Sequence, residues 1–318
     1  MHLLKLLIAV LFLFSVTIVS AQEIPEPTVP ASRPTPTTVI MEGGAILELY
    51  FESIAQGRVG LVHIYDSDIT NVRASFLENE FEFFPMPEDG YYGLLAVGME
   101  QRIGTYNLTL IVQFADEISS TVIAPIEVVL GSFIRQDITV SEELGYLVDP
   151  EVERHELAQL ESIFDTFTLE QFWDESGFQW PLEVELTSPF GAFRVFNETT
   201  NSRHTGWDMR AQTGVPVTAT AAGRVVFAGV LDLRGNYVLI DHGYGIYSGY
   251  AHLSVVHVTR GQNISAGQII GQVGSSGRSG GVHFHWEMAV NREWIDSVEL
   301  TAMWMPLPYP PVANTESP

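Results

Sequence analysis

Short runs of β-branched and aromatic residues, broken about every 8 to 15 residues by Gly, Asp or Asn, fill most of this chain and point to antiparallel sheets. In the first half the runs are Ala45–Phe51, Val59–Tyr65, Phe81–Phe84, Tyr91–Val97, Tyr106–Gln113 and Thr121–Val129. Tyr106 to Val112 alternates polar and apolar residues, so a strand there turns one face inward. In the second half, Gly-punctuated runs recur at Gly223–Val230, Asn236–His242, Ile246–Leu253, Gln268–Val273 and Val282–Val290. The chain is therefore expected to be mainly β, an antiparallel sandwich followed by a compact antiparallel β-domain.

One stretch breaks the period of two. After Asp149-Pro150, the residues Val152, Leu157, Leu160, Ile163 and Phe164 share one side of a helical wheel, with Glu151, Glu153, Glu156 and Glu161 elsewhere. Asp as cap, Pro in the first turn and early acids predict one amphipathic helix with an acidic outer side. It belongs to a strand and helix connector over 131–180, whose aromatic end, Leu169 to Trp180, packs between domains. His155 falls on its solvated side.

The termini read differently. Lys5, an apolar run from Leu6 to Val19 and the small pair Ser20-Ala21 form a signal-peptide pattern over 1–21. The run is shorter than the roughly 18–20 residues a spanning helix needs. Residues 22–37, rich in Pro and Thr, read as an extended linker, and the Pro-rich 306–318 as a tail. The expected location is thus secreted or extracytoplasmic, in cell wall or periplasm, with no stable membrane insertion once the signal is removed.

Charge separates the two halves. Residues 38–190 hold 28 Asp and Glu against 5 Arg, whereas 191–318 hold 9 against 8. The first part is an acidic Ig-like β-domain over 38–130 with its connector; the second, 181–305, is nearly neutral. Neither carries the basic footprint of a nucleic-acid binder, so no nucleic-acid partner is expected. The chain has no cysteine, so any metal must be held by His and carboxylate.

Five residues can build such a site. His283-Phe284-His285 lies in a strand-like run, where a period of two sends both imidazoles to one face. His204-Thr205-Gly206-Trp207-Asp208 brings an imidazole and a carboxylate together around a glycine, and His252 adds another strand-borne imidazole. A hydrolytic zinc site uses three ligands of these types and leaves a fourth position open. Each piece alone is common; their conjunction carries the reading.

The same residues sit in a longer pattern. Ser188-Pro189-Phe190-Gly191, Arg194, His204-Thr205-Gly206-Trp207-Asp208, Gly214-Val215-Pro216-Val217, Gly235-Asn236-Tyr237-Val238, Asp241-His242-Gly243, Tyr250-Ala251-His252-Leu253, Gly267 to Gly271 and Gly281 to Glu287 resemble the lysostaphin and LytM type of zinc metallopeptidase. Over about 110 residues, ligands, turn glycines and strand residues match in order. The resemblance implies one zinc ion on His204, Asp208 and His285, with His252 and His283 as catalytic histidines. It further implies a compact antiparallel sheet with a groove, and hydrolysis of peptide bonds in peptidoglycan stems or cross-bridges. Trp207 and Trp286 depart from the family's usual smaller aliphatic and Phe without removing a ligand. The N-terminal part resembles, more loosely, the β-domain of some exported members.

The alternative is a non-catalytic wall-binding or amidase-activating module, but such relatives typically lack ligands that this chain retains. Other histidines have plainer readings. His63 is a packed or edge residue, His242 holds a turn through a backbone bond, and His257 is an ordinary strand residue. Gly274 to Gly281 lacks the lysine and helix of a phosphate loop; it reads as a flexible loop at the groove rim.

Overall fold

The structure, a computed structural model, describes residues 33–140 and 142–306. The expected signal peptide, most of the linker and all but the first residue of the tail lie outside the described residues. Strands dominate, as expected, with α-helices only at Pro150–Phe164 and Ser297–Ala302 among the described residues. Neither helix is long and apolar enough to cross a membrane.

Strands between Thr38 and Val129 form two five-stranded sheets. Leu47, Ile64, Val72, Leu95, Leu110 and Val122 fill the space between them. Gly104–Phe114 alternates as its sequence predicts, burying Leu108, Leu110 and Val112 and exposing Asn107 and Ile111. Val59–Tyr65 and Gly90–Ala96 do not alternate, because both of their faces are covered. Val62, Ile64 and Leu95 face the sandwich core, while Leu61, Tyr92 and Leu94 join a second core with Trp173, Met209 and Trp286.

Two local expectations are corrected. Phe81–Phe84 is not one strand: Asn79–Glu82 pairs with Ile69–Phe76 in one sheet, and Phe84–Met86 with Gly90–Ala96 in the other. The chain changes sheets at buried Phe83, whose apolar neighbours hid the break. Ile69–Phe76 is itself a strand that was not anticipated; buried Val72, Ala74 and Phe76 alternate with Asn71, Arg73 and Ser75.

The C-terminal part is built on a ten-stranded sheet. Its main path runs Leu186–Ser188, Gly206–Met209, Phe284–Val290, Ile246–Val256, Gly235–Gly243, Gly223–Leu231 and Asn263–Ile264. Ile246–Val256 ends just before His257, which is exposed in the following loop and not in a strand as expected. The Val256–Val258 alternation lies at the strand's frayed end, where His257 N–H donates to the Ile270 carbonyl.

The connector crosses onto this half before the helix begins. Arg135–Ile138 pairs in parallel with Phe193–Phe196, which pairs antiparallel with Thr200–Arg203. Asp149 then caps the helix, its carboxylate accepting from Glu151 N–H at 2.9 Å, and Leu160 and Phe164 pack on Leu231, Tyr237, Leu239 and Tyr247. Glu156 breaks the expected acidic outer side. It is buried, accepting from Arg234 Nη1 at 2.8 Å and Leu233 N–H at 2.6 Å. Trp173, in the aromatic end, packs edge-on between Phe84 of the sandwich and Tyr244 of the C-terminal part.

Removing the Glu156 acceptor leaves a buried guanidinium and a buried N–H each short of a partner. Glu156→Ala is expected to lower stability by about 1–3 kcal/mol in urea unfolding. Glu161→Ala, on the exposed side of the same helix, is expected to stay within about 0.5 kcal/mol of the parent.

Candidate metal centre

Sheet register brings two of the anticipated ligands together. Asp208 stands directly opposite His285 on adjacent antiparallel strands, so both side chains leave the same face. Gly206 allows this approach, since a Cβ there would run into the Trp286 carbonyl. His204 enters from the end of Thr200–Arg203, its N–H donating to the Ala192 carbonyl and its own carbonyl accepting from Gly191.

Three donor atoms converge. His204 Nε2 lies 2.9 Å from Asp208 Oδ1 and 3.0 Å from His285 Nδ1, which is itself 2.9 Å from the same oxygen. Among the described residues, this is the group of His and carboxylate side chains whose atoms cluster closely enough to hold a metal ion. The outer nitrogens fix the ring tautomers. His204 Nδ1–H donates to the Pro189 carbonyl at 2.7 Å, and His285 Nε2–H to Glu287 Oε2 at 3.1 Å. The facing nitrogens therefore present lone pairs to each other and to a carboxylate, an arrangement that a shared cation relieves. Tetrahedral zinc with ligands at about 2.0–2.2 Å spaces its donors about 3.3 Å apart, so a few tenths of an ångström of relaxation fits the set to zinc.

The neighbours hold the ligands in place. Asp208 Oδ2 accepts from Arg194 Nη2 at 2.5 Å, and Arg194 is held in turn by Ser188 and by Gln136 of the connector. Glu287 is fully buried and binds Arg234 through both oxygens, at 2.6 and 2.9 Å. Tyr237 and Thr205 each donate a hydroxyl to it at 2.6 Å. Sequence reasoning assigned no role to Glu287, Arg234 or Arg194. Glu287 shares the parity of His283 and His285, a signal that could have found it; nothing in the sequence points to Arg234.

His252 and His283 stand beside the three. Their ring centroids are 4.8 Å apart, and His283 Nε2 is 3.5 Å from Asp208 Oδ1. Again the outer nitrogens are tied, His252 Nδ1–H donating to the Ser276 carbonyl at 2.7 Å and His283 Nδ1–H to Gly281 at 2.9 Å. His252 Nε2 is thereby left to accept, whereas His283 Nε2 is turned toward Asp208 Oδ1.

Parity alone would put His252 on the wrong face. Ala251 is opposite His285, so a regular strand would send residue 252 away. The pairing slips between Val238↔Tyr250 and Asn236↔Leu253, leaving Ala251 and His252 opposite the single residue Tyr237. His252 has φ 58° in this bulge, and its ring turns back to within 5.8 Å of His285.

Electrostatics in the metal-free protein follow from burial and proximity. Burial pushes His204 down to about 4, and burial with the neighbouring His283 and His285 holds His252 well below its usual value. His285 moves the other way: burial opposes its charge, but Asp208 and Glu287 outweigh it. Asp208 lies well below the carboxylate range, because His204, His283 and His285 outweigh its burial. The remaining histidines stay apart. His242 is buried, with Nδ1–H donating to the Ala222 carbonyl at 2.8 Å. His63 is packed between Tyr65 and Tyr92.

Above the ligands the space is small, a cavity of about 50 Å³. Glu153 and Leu157 of the connector helix line it, together with Arg194, Arg203, Arg234 and Arg278; the sandwich contributes no lining residue. Larger cavities, about 520 Å³ beside Asp241 and about 1000 Å³ beside His63, lie away from the ligands. The Gly274–Gly281 loop is tied down through Ser276, whose hydroxyl bridges Asn236 N–H and the Leu253 carbonyl.

With this geometry in hand, the family model described as peptidase family M23 matches residues 202–297, from just before His204 to just past Asp296. The C-terminal part of the chain is an M23 peptidase domain. Over 118 residues, 37% of this chain and 27% of the relative, it is 40% identical to the DD-carboxypeptidase/endopeptidase Mpg of Neisseria meningitidis. It is 33% identical to the peptidoglycan DD-endopeptidase ShyA of Vibrio cholerae, over 41% of this chain and 32% of the relative. Identity is 36% to the murein hydrolase activator NlpD of Escherichia coli, over 36% and 28%. The chain thus spans about a third or less of the length of these relatives. A crystal structure of a peptidase M23 protein from Pseudomonas aeruginosa matches 79% of this chain and 96% of its own, with TM-score 0.59 and 22% identity, and so shares the fold.

Two measurements check the centre. Glu287→Gln, which weakens the acceptor behind His285, is expected to reduce zinc affinity about 10- to 100-fold in competition with a chromophoric chelator. Because the metal-free pKa of His285 is raised, a bound proton competes with zinc at mildly acidic pH and is lost as pH rises. Zinc affinity of the parent protein is expected to fall as pH drops through the raised His285 pKa, so the loss begins above the ordinary histidine value of about 6.5.

Proposed function

We propose that this chain is a zinc-dependent endopeptidase that hydrolyses peptide bonds of bacterial peptidoglycan outside the cytoplasmic membrane. The observation that carries the reading is the convergence of His204, Asp208 and His285 beside two further imidazoles, His252 and His283, whose rings lie 4.8 Å apart. The names of Mpg and ShyA, both endopeptidases, support it, and that of ShyA supports the substrate. In this reading the peptidase domain is residues 181–305, carried behind the connector and the acidic β-domain.

His204 Nε2, Asp208 Oδ1 and His285 Nδ1 would hold one zinc ion, which supplies Lewis-acid polarisation of the scissile carbonyl. The chain's own groups handle the rest. His252, kept unprotonated by burial and by its His neighbours, accepts the proton of the attacking water at Nε2. The proton that His252 takes from water then passes to the departing amine, and His283, less buried and with Nε2 3.5 Å from Asp208 Oδ1, lines the reacting position beside it. Arg194 and Glu287 keep Asp208 and His285 oriented and stay out of the chemistry.

Incubation of the signal-free protein with purified wall sacculi is expected to release peptides, and a chelator to stop it. Fully metallated protein that released none would refute the proposal. His204→Ala separates this reading from a non-catalytic activator: an enzyme loses at least about a thousandfold of its rate, whereas an activator keeps its effect on a partner hydrolase.

A further inference from the structure

The cavity at the metal ligands is lined by four arginines in a chain with 39 acids and 15 bases. Three of them are committed within their surroundings. Arg194 holds Asp208, Arg234 holds Glu287 and Glu156, and Arg203 pairs with Glu100 and donates to the Gly191 carbonyl.

Arg278 is held differently. Its guanidinium lies over the Phe196 ring, 4.4 Å from the centroid, and its Nη1 reaches Glu153 Oε2 at 3.2 Å and the Leu147 carbonyl at 3.3 Å. Both acceptors come from the connector, and both distances are long for a charge-assisted bond. Burial lowers the pKa of Arg278, so its charge is short of compensation. The other oxygen of Glu153 accepts from the Ser202 hydroxyl at 2.5 Å. Ser202 lies two residues before His204, and Arg278 lies between Ser276, which anchors His252, and His283. The Glu153 carboxylate therefore sits in the cavity that His204, His252 and His285 share.

We propose that Arg278 and Ser202 form a carboxylate-binding subsite beside the metal centre, that Glu153 fills it within the chain, and that an acidic side chain or chain end of a peptide substrate takes its place. The word substrate rests on the peptidase reading above; the subsite itself is defined by the arginine, the serine and the carboxylate they hold. Glu153 can leave without moving the helix. Its side chain is 20% exposed, and it sits in the first turn. Glu156 and Leu160 anchor the helix farther along. Exchange of one carboxylate for another keeps the Arg278 charge paired throughout, whereas an amide in the same position leaves it uncompensated.

The test uses the signal-free protein and two probes, acetyl-Ala-Glu-Ala-amide and its Gln counterpart, with binding followed by NMR or calorimetry. Glu153→Gln weakens the internal competitor and is expected to tighten binding of the Glu peptide about tenfold, with clear preference over the Gln peptide. Arg278→Gln is expected to abolish that preference. If Arg278→Gln fails to fold, the Glu153→Gln comparison decides alone. Equal binding of the two peptides to both the parent and Glu153→Gln overturns the subsite. Wall cleavage with no such preference overturns the subsite and keeps the peptidase reading; the preference without any cleavage does the reverse.

Discussion

A carboxylate with no solvent exposure, Glu287, joins the strands, the connector helix and the candidate metal ligands. A lone buried carboxylate is too costly to persist, so its partners are requirements of the fold as much as of the site. Arg234 neutralises it, Tyr237 and Thr205 saturate its oxygens, and His285 is oriented by what remains. Arg234 in turn needs a second acid, and the helix supplies it as Glu156. The His204, Asp208 and His285 cluster is thus the far end of a chain of paired charges that begins on a helix about 130 residues earlier in sequence.

The uneven charge lies in the acids, 28 in residues 38–190 against 9 in 191–318. In the nearly neutral C-terminal part, Arg194, Arg234 and Arg278 are turned inward, toward Asp208, Glu287 and the groove. The sandwich pairs Glu48 and Asp89 with Arg33 beside buried His63, but most of its acids stand on exposed strand faces and loops. Its non-alternating strands, Val59–Tyr65 and Gly90–Ala96, show that one of its sheets is also a packing surface for the M23 domain.

Legibility in the sequence followed locality. The parity of His283 and His285 and the short His204–Asp208 spacing are local signals, and donor atoms of His204, Asp208 and His285 lie close together in the structure. The helix cap at Asp149 and the alternation of Gly104–Phe114 were local too. Glu156 was misread because residue type shows that a side chain is polar but not that a buried arginine awaits it. The change of sheet at Phe83 was hidden for the same reason: apolar neighbours look alike whichever core they enter. Arg234 had no signal at all, since its partners lie 53 and 78 residues away.

The bulge at Ala251–His252 divides the centre into two parts that depend on different things. His285 and Asp208 are fixed by strand register, which a whole sheet defends, and they stand or fall together. His252 reaches the same face only through one extra residue and one left-handed backbone angle. Held in regular extended pairing without the left-handed angle, residue 252 would point its imidazole to the opposite face, with His204, Asp208 and His285 still in place. On the reading proposed here, a hydrolase and an inert metal-holding scaffold of the same fold are separated by the backbone conformation of one residue, with little change in the rest of the sheet.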